Sequence, residues 1–355
     1  MKPFIPALGL AAALAPMLAH AEQTSAVQLY GRIDVALEAT RFSGTPTKRP
    51  VSPVAVSTDT SYWGLTGSEN LGSGTRAYFK LESGFSVDTG APGSPSSLFN
   101  REAYVALGSD TYGSIQVGNQ FTPAFFITTK ADPFQRSSNG AILNLMQQGA
   151  GNKQRGYRLG QGNSVQYLSP SFGGVRVRAM AGLAERTSAP DDLGAFRAGS
   201  VEYAAGRLYA GLSVEEEQVA GPTPAAAVSK KTATLGATWD FGVAKVYGYL
   251  LRDSVEHLRD AHAWMAGLTY PVGAGVIRTS YSHYALRDTP GAKANVIALG
   301  YTHALSKRTT LYTSYARLGN GAASSFALWP GSKTYGLPGL DEDVRSLEFG
   351  IRHFF

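Results

Sequence analysis

Apolar and polar residues alternate with a period of two along most of this chain. Leu29, Gly31, Ile33, Val35 and Leu37 form one phase, and Tyr30, Arg32, Asp34 and Glu38 form the other. Ala77, Phe79 and Leu81 alternate with Arg76, Tyr78, Lys80 and Glu82. Leu208, Ala210, Leu212 and Val214 alternate with Tyr209, Gly211, Ser213 and Glu215. Near the end of the chain, Leu347, Phe349, Ile351, His353 and Phe355 alternate with Glu348, Gly350 and Arg352, with Phe354 in the polar phase. This periodicity puts side chains on opposite faces of a β-strand. About sixteen such segments, each near the ~9–11 residues of a tilted spanning strand, run through the sequence. They start near Val27, Thr60, Thr75, Asn100, Gly113, Asn163, Val175 and Arg197, then near Arg207, Lys231, Val243, His262, Gly275, Ala294, Arg308 and Val344.

The polar phases hold long charged side chains, which hydrocarbon does not tolerate, so those phases must face water. The chain therefore reads as an all-β protein, a closed antiparallel transmembrane barrel with a wet interior. An interior this polar excludes a packed core. A last strand ending on an aromatic suits a sheet that must close on itself. Connections alternate between short turns rich in Gly, Pro and Asp (110–113, 170–174, 204–207, 240–242, 271–275) and long loops (41–59, 87–99, 216–230, 319–343). Short turns on one side and long external loops on the other are the asymmetry of outer-membrane barrels.

Composition fits that picture. Lys2, an apolar run over 4–18 and the small-x-small site Ala19-His20-Ala21 read as a signal peptide, residues 1–21, leaving one barrel domain over 22–355. No other stretch reaches the roughly 18–20 apolar residues of a spanning helix. The sequence holds 41 Gly, 18 Tyr, 5 Met and no Cys, as turns and interfacial girdles require. The net charge of +6 falls to +5 without Lys2. In an exported barrel this basic balance concerns small anions in a pore or lipid phosphate at the rim, not nucleic acid.

One connection departs from the pattern. Residues 121–162 alternate poorly and carry Phe121, Phe125, Phe126, Phe134, Ile142, Leu143 and Leu145. A loop this long and this apolar is either a lid over the mouth or a segment folded into the lumen with its apolar side chains on the wall. It also holds Lys130, Arg136, Lys153, Arg155 and Arg158 against the single acid Asp132. Each basic residue taken alone reads as a solvated loop charge. Together, in a constriction, they favour anions.

The motifs Leu29-Tyr-Gly-Arg32, Trp63-Gly-Leu-Thr-Gly-Ser-Glu-Asn-Leu-Gly72, Phe79-Lys-Leu-Glu-Ser-Gly-Phe85, Phe99-Asn-Arg-Glu-Ala-Tyr-Val-Ala-Leu107, Gly113-Ser-Ile-Gln-Val-Gly118 and Asn163-Ser-Val-Gln-Tyr-Leu-Ser-Pro170 occur in that order, with the terminal Phe355. With them the chain resembles the general-diffusion porins of Gram-negative bacteria, particularly the β-proteobacterial branch, over nearly its whole length. The resemblance implies a sixteen-stranded barrel, a homotrimer in outer-membrane lipid and lipopolysaccharide, and a third external loop folded inward as an eyelet. It implies a channel for passive diffusion of small ions and hydrophilic solutes, with Phe355 as the membrane assembly signal. The family sets basic wall residues against loop acids. Arg32, Arg101 and Arg158 match the basic positions, Asp132 matches the loop acid, and Lys80 and Arg76 extend the basic track. This chain departs twice: Tyr62 stands where relatives often carry Arg, and Arg136 lies where a second loop acid is common. The second change strengthens anion preference at the narrowest point, so a moderately anion-selective pore is expected.

The alternatives are a substrate-specific porin and a surface adhesin working through its long loops. An enzyme is not expected. His283 lies near Ser280 and Ser282, but neither Gly-x-Ser-x-Gly nor His-Glu-x-x-His occurs. No cofactor is implied. A Ca²⁺ on Asp341, Glu342 and Asp343 competes with the simpler reading of a solvated acidic loop.

Overall fold

The structure, a computed structural model, describes residues 27–45, 49–146, 158–185, 192–221, 226–328 and 338–355. The expected signal peptide, Lys153 and Arg155 lie outside the described residues.

The chain forms β1 (Val27–Phe42), β2 (Val54–Thr58), β3 (Ser61–Gly72), β4 (Thr75–Phe85), β5 (Glu102–Ser109), β6 (Gly113–Phe121), α1 (Pro123–Ala131), α2 (Leu143–Met146) and β7 (Gly160–Leu168). Then come β8 (Val175–Gly182), β9 (Phe196–Ala205), β10 (Leu208–Ala220), β11 (Ala227–Asp240), β12 (Lys245–Val255), β13 (Arg259–Val272), β14 (Gly275–Leu286), β15 (Lys293–Ala304), β16 (Thr309–Asn320) and β17 (Val344–Phe354). Neighbours pair antiparallel, and β1 pairs with β17 from Arg32↔Phe354 to Phe42↔Val344, which closes the sheet. β2 covers one half of β1 and β3 the other. The two are one wall strand interrupted at Asp59 and Thr60, and the barrel has sixteen strands.

Strand starts fall close to the alternation-based expectation, with two corrections. Residues 54–58, expected within a loop, pair with β1. Residues 216–220 and 227–230 continue the ladder of β10 and β11 instead of forming a loop. The cause is common to both: where a barrel rises out of the hydrocarbon, both faces meet water, so pairing continues after the hydrophobic alternation has ended.

Leu29, Ile33 and Leu37 are exposed while Asp34 and Glu38 are fully buried, so the apolar phase faces outward. The interior is not polar throughout, which corrects the expectation of no packed core. Ile142, Leu145 and Met146 form an apolar cluster with Tyr249, Leu251, Met265, Tyr284, Val296 and Leu318 of β12–β16 and with Phe326 and Leu328. One side of the barrel is therefore filled, and open space remains toward β1–β6.

Candidate functional site

The long connection after β6 leaves the wall through a hydrogen-bonded neck. Thr122 N donates to Leu159 O at 3.0 Å, and Thr122 Oγ1 to Arg158 O at 2.6 Å. Pro123 opens α1, where a fixed φ suits the first helical turn and no amide is missed. The segment then runs along the inner wall over inward-facing glycines. A Cβ added at Gly236 would lie 2.7 Å from Ala131 Cβ, one at Gly267 2.6 Å from Pro133 Cγ, and one at Gly300 2.8 Å from Phe134 Cε1. Glycine lets the segment approach the wall this closely. At the far side Ser138 N donates to Asp59 Oδ2 (2.9 Å) and Asn139 N to Glu348 Oε1 (3.1 Å). Asn139 Nδ2 reaches Ser346 Oγ at 2.9 Å. The segment thus contacts inward residues from β10 around to β17 and Asp59 at the break between β2 and β3, across the interior.

Asp132 holds this path together, which corrects its expected role as an acid facing the basic wall. It is 1% exposed. Its carboxylate accepts the backbone N–H groups of Phe134 (2.9 Å), Arg136 (3.0 Å) and Ile142 (3.0 Å). Gln135 and Arg136 adopt positive φ, and the carboxylate pins the turn they make. Burial outweighs those three donors and pushes the Asp132 carboxyl up to about 6.

Arg32, Arg101 and Arg136 line one cavity of about 510 Å³ together with Asp59, Tyr62, Phe121 and Phe125. They are interleaved with aromatic rings. Arg32 Cζ is 5.6 Å and Arg101 Cζ 4.7 Å from the Tyr62 centroid. Arg101 also lies 5.3 Å from Phe121, which stacks on Phe125 at 3.8 Å, and Arg136 Cζ lies 4.3 Å from Phe125. A guanidinium held by its face on a ring gains cation–π attraction, and the rings separate like charges. Tyr62, read from the sequence only as a missing arginine, is the spacer between two arginines. The strand break also serves the site: Thr60 O accepts Arg32 Nε at 2.6 Å.

Acids stand behind the cations. Glu82 accepts Arg101 Nε at 2.5 Å and Tyr30 O–H at 2.8 Å, while Lys80 pairs with Glu102. Asp34 takes Arg352 Nε at 2.6 Å and lies 3.8 Å from Arg32. The cation is the more exposed partner each time: 21% for Arg101 against 4% for Glu82, and 29% for Lys80 against 7% for Glu102.

Other expected site residues lie elsewhere. Arg76 is at the short-turn end, paired with the exposed Asp110 at 3.1 Å, and so does not extend the track to this cavity. Its strand phase is legible in the sequence, but its level along the axis is not. Lys130 pairs with Glu202 at 2.6 Å, beside Arg178, whose Cζ is 3.8 Å from the Phe126 ring. Arg158 pairs with Glu217 of β10 and does not line the cavity of Arg32 and Arg101. Arg178, Arg278 and Arg352 are not singled out by sequence reasoning. All three are inward by strand phase, so alternation could have flagged them. Phe355 lines no channel. Its N–H and C=O exchange hydrogen bonds with Gly31, both at 3.1 Å, at the closing seam. Of the acids considered for Ca²⁺, Glu342 accepts Gly44 N and Gly339 N, and Asp343 accepts Asn320 N. No metal-ligating group of three or more appears among the described residues.

The profile of the Gram-negative porin family matches residues 7–323. Outer membrane porin protein 32 of Delftia acidovorans is 31% identical over 305 residues, covering 83% of this chain and 85% of that protein. An outer membrane porin protein of Bordetella pertussis is 30% identical, over 72% of this chain and 77% of that protein. Among solved structures, an anion-selective porin from Comamonas acidovorans superposes with a TM-score of 0.80 at 29% identity, covering 93% of this chain and all of that one. A closed sixteen-stranded barrel with an apolar outer face and a charged inner face fits a water-filled channel, and the chain belongs to the Gram-negative porin family of the outer membrane.

Proposed function

We propose that this porin passes small anions in preference to cations, and that the cavity of Arg32, Arg101 and Arg136 is its constriction. The layering of charge carries the reading. Arg32, Arg101 and Lys80 are each more exposed than the acids they pair with, Asp34, Glu82 and Glu102, which are buried behind them. A passing ion meets the cations first, and the buried acids position those cations more than they cancel them. Low-dielectric walls focus the field, and salt weakens it. The similar Comamonas acidovorans protein is itself described as anion-selective. Lys130 and Arg158, with partners on β9 and β10, extend the positive surface beyond the constriction. Reversal potential across a planar bilayer under a KCl gradient tests this. A chloride-favouring potential that shrinks as salt rises is expected, and a potassium-favouring one would sink the proposal.

We also propose that three barrels associate. A trimer form is recorded for the structurally similar OmpT of Vibrio cholerae, and this chain's outer face is apolar enough to need covering by lipid or by other barrels. The mass of the detergent-solubilised protein should correspond to three copies, and a single-copy mass would refute it. Phe355, read as the assembly signal, acts in this picture at the seam with Gly31 and not in the channel.

A further inference from the structure

The aromatic rings of the inner wall are ordered along the channel axis. Cross-strand register sets the inward side chains of β1 and β3–β5 in levels. Arg32 is opposite Tyr62 at the level of the cavity. One level nearer the short turns, Tyr30 is opposite Gly64, which is opposite Glu82. The next level holds Lys80 and its partner Tyr104, and Tyr78 follows Lys80 down β4. Tyr62 and Tyr30 are 6.3 Å apart between ring centroids, and so are Tyr104 and Tyr78, both edge to face. Lys80 joins the two pairs, with Nζ 5.7 Å from the Tyr30 centroid. A Cβ added at Gly64 would lie 2.7 Å from the Tyr30 hydroxyl oxygen, so this glycine lets the Tyr30 ring cross the wall. All four tyrosines are half-buried. At the upper end the path meets the cavity, where Phe121 and Phe125 stack.

Cations and rings therefore alternate from the constriction toward the short-turn mouth. Cations alone would serve any small anion, and rings alone would serve an uncharged ring. A planar aromatic carboxylate uses both. Its two oxygens match the N–H fork of a guanidinium. The hydrogen bond from Arg101 to Glu82 uses Nε, and the two terminal nitrogens are the ones left for a carboxylate. Its ring packs edge to face or offset against Tyr and Phe, and stacks on a guanidinium plane. A cavity of about 510 Å³ is ample for one such molecule.

We propose that this channel selects aromatic carboxylates: a single-ring carboxylate docks in the cavity of Arg32, Arg101 and Arg136 against Tyr62, Phe121 and Phe125, then leaves along Tyr30, Tyr104 and Tyr78. This deepens the anion-channel reading and rests on it. A saturated carboxylate of the same size and charge meets the same cations but gains less from the rings.

Conductance of the full chain in a planar bilayer in KCl, titrated with benzoate, cyclohexanecarboxylate and benzamide, tests the proposal. Benzoate should block the current saturably, at roughly tenfold lower concentration than cyclohexanecarboxylate. Benzamide, with the ring but no charge, should block far less. Tyr62→Leu combined with Phe125→Leu should erase the difference between the two carboxylates, whereas Arg101→Gln should weaken both. Equal block by benzoate and cyclohexanecarboxylate in the native channel would overturn the aromatic selection without any variant having to fold. Block by benzamide as strong as by benzoate would overturn the carboxylate assignment, and a linear, unsaturated response would overturn the docking site. In each of those cases a chloride-favouring reversal potential in KCl alone would leave the anion-channel reading standing. A potassium-favouring one would overturn both.

Discussion

A channel with glutamate at both Arg101 and Arg136 should favour potassium over chloride. Both residues line the cavity proposed as the constriction. A unit charge about 8 Å from a permeating ion contributes ~0.5 kcal/mol in a water-like dielectric. Reversing one charge shifts chloride and potassium in opposite directions, by ~2 kcal/mol between them on the same basis. Two reversals, halved by screening near a Debye length of about 10 Å, leave ~2 kcal/mol, or about 30-fold in the permeability ratio. Glutamate at 101 also meets Glu82, so the paired variant Arg101→Gln, Arg136→Gln is the control for folding. It should abolish most of the preference without inverting it. Reversal potentials of the three proteins decide the matter. If both variants kept the native chloride preference, the constriction would have to lie elsewhere.

Asp132→Ala should open the channel. The substitution leaves the N–H groups of Phe134, Arg136 and Ile142 without their acceptor in a buried site. Each orphaned donor costs about 1–3 kcal/mol, and the three together exceed what the tip contacts at Ser138 and Asn139 can hold. The segment should leave the wall and carry Arg136 with it. Single-channel conductance should rise, chloride preference should fall, and the segment should become a protease target while the barrel remains folded. Asp132→Asn keeps one acceptor oxygen but presents an amide donor to other N–H groups, so it should fall between. Native conductance together with native protease resistance in Asp132→Ala would show that the carboxylate does not organise the loop.

The two variants probe features of different legibility. Strand phase and motif place Arg101, and the structure puts it on the inward face. The position of Asp132 in the loop suggests a channel-facing role, but its carboxylate turns into the segment and binds backbone. A loop acid next to Pro133 gives no local sign of which way it points. Arg76 and Lys80 share one strand phase, yet Lys80 stands beside Glu102 and Arg76 beside Asp110 at the rim. Phase tells inside from outside, and it does not tell level. Tyr62 illustrates the same limit: its value comes from Arg32 and Arg101 on neighbouring strands, and from Phe121 and Phe125 beyond.

Alternation alone is enough to establish the all-β class, the positions of most strands, the inward and outward faces, the short and long sides of the barrel, and one anomalous loop rich in basic and apolar residues. These follow from a local rule, because alternate residues of a strand face opposite ways and hydrocarbon rejects charge on one of them. Other features emerge only in the folded barrel. They include the path of that loop along Gly236, Gly267 and Gly300, the grouping of Arg32, Arg101 and Arg136, and the separate partners of Lys130 and Arg158. The continuation of β10 and β11 beyond the membrane belt belongs with them. Those outcomes depend on register between strands, on closure of β1 with β17, and on contacts across the lumen. These are relations between residues far apart in the chain, and a period of two carries no information about them.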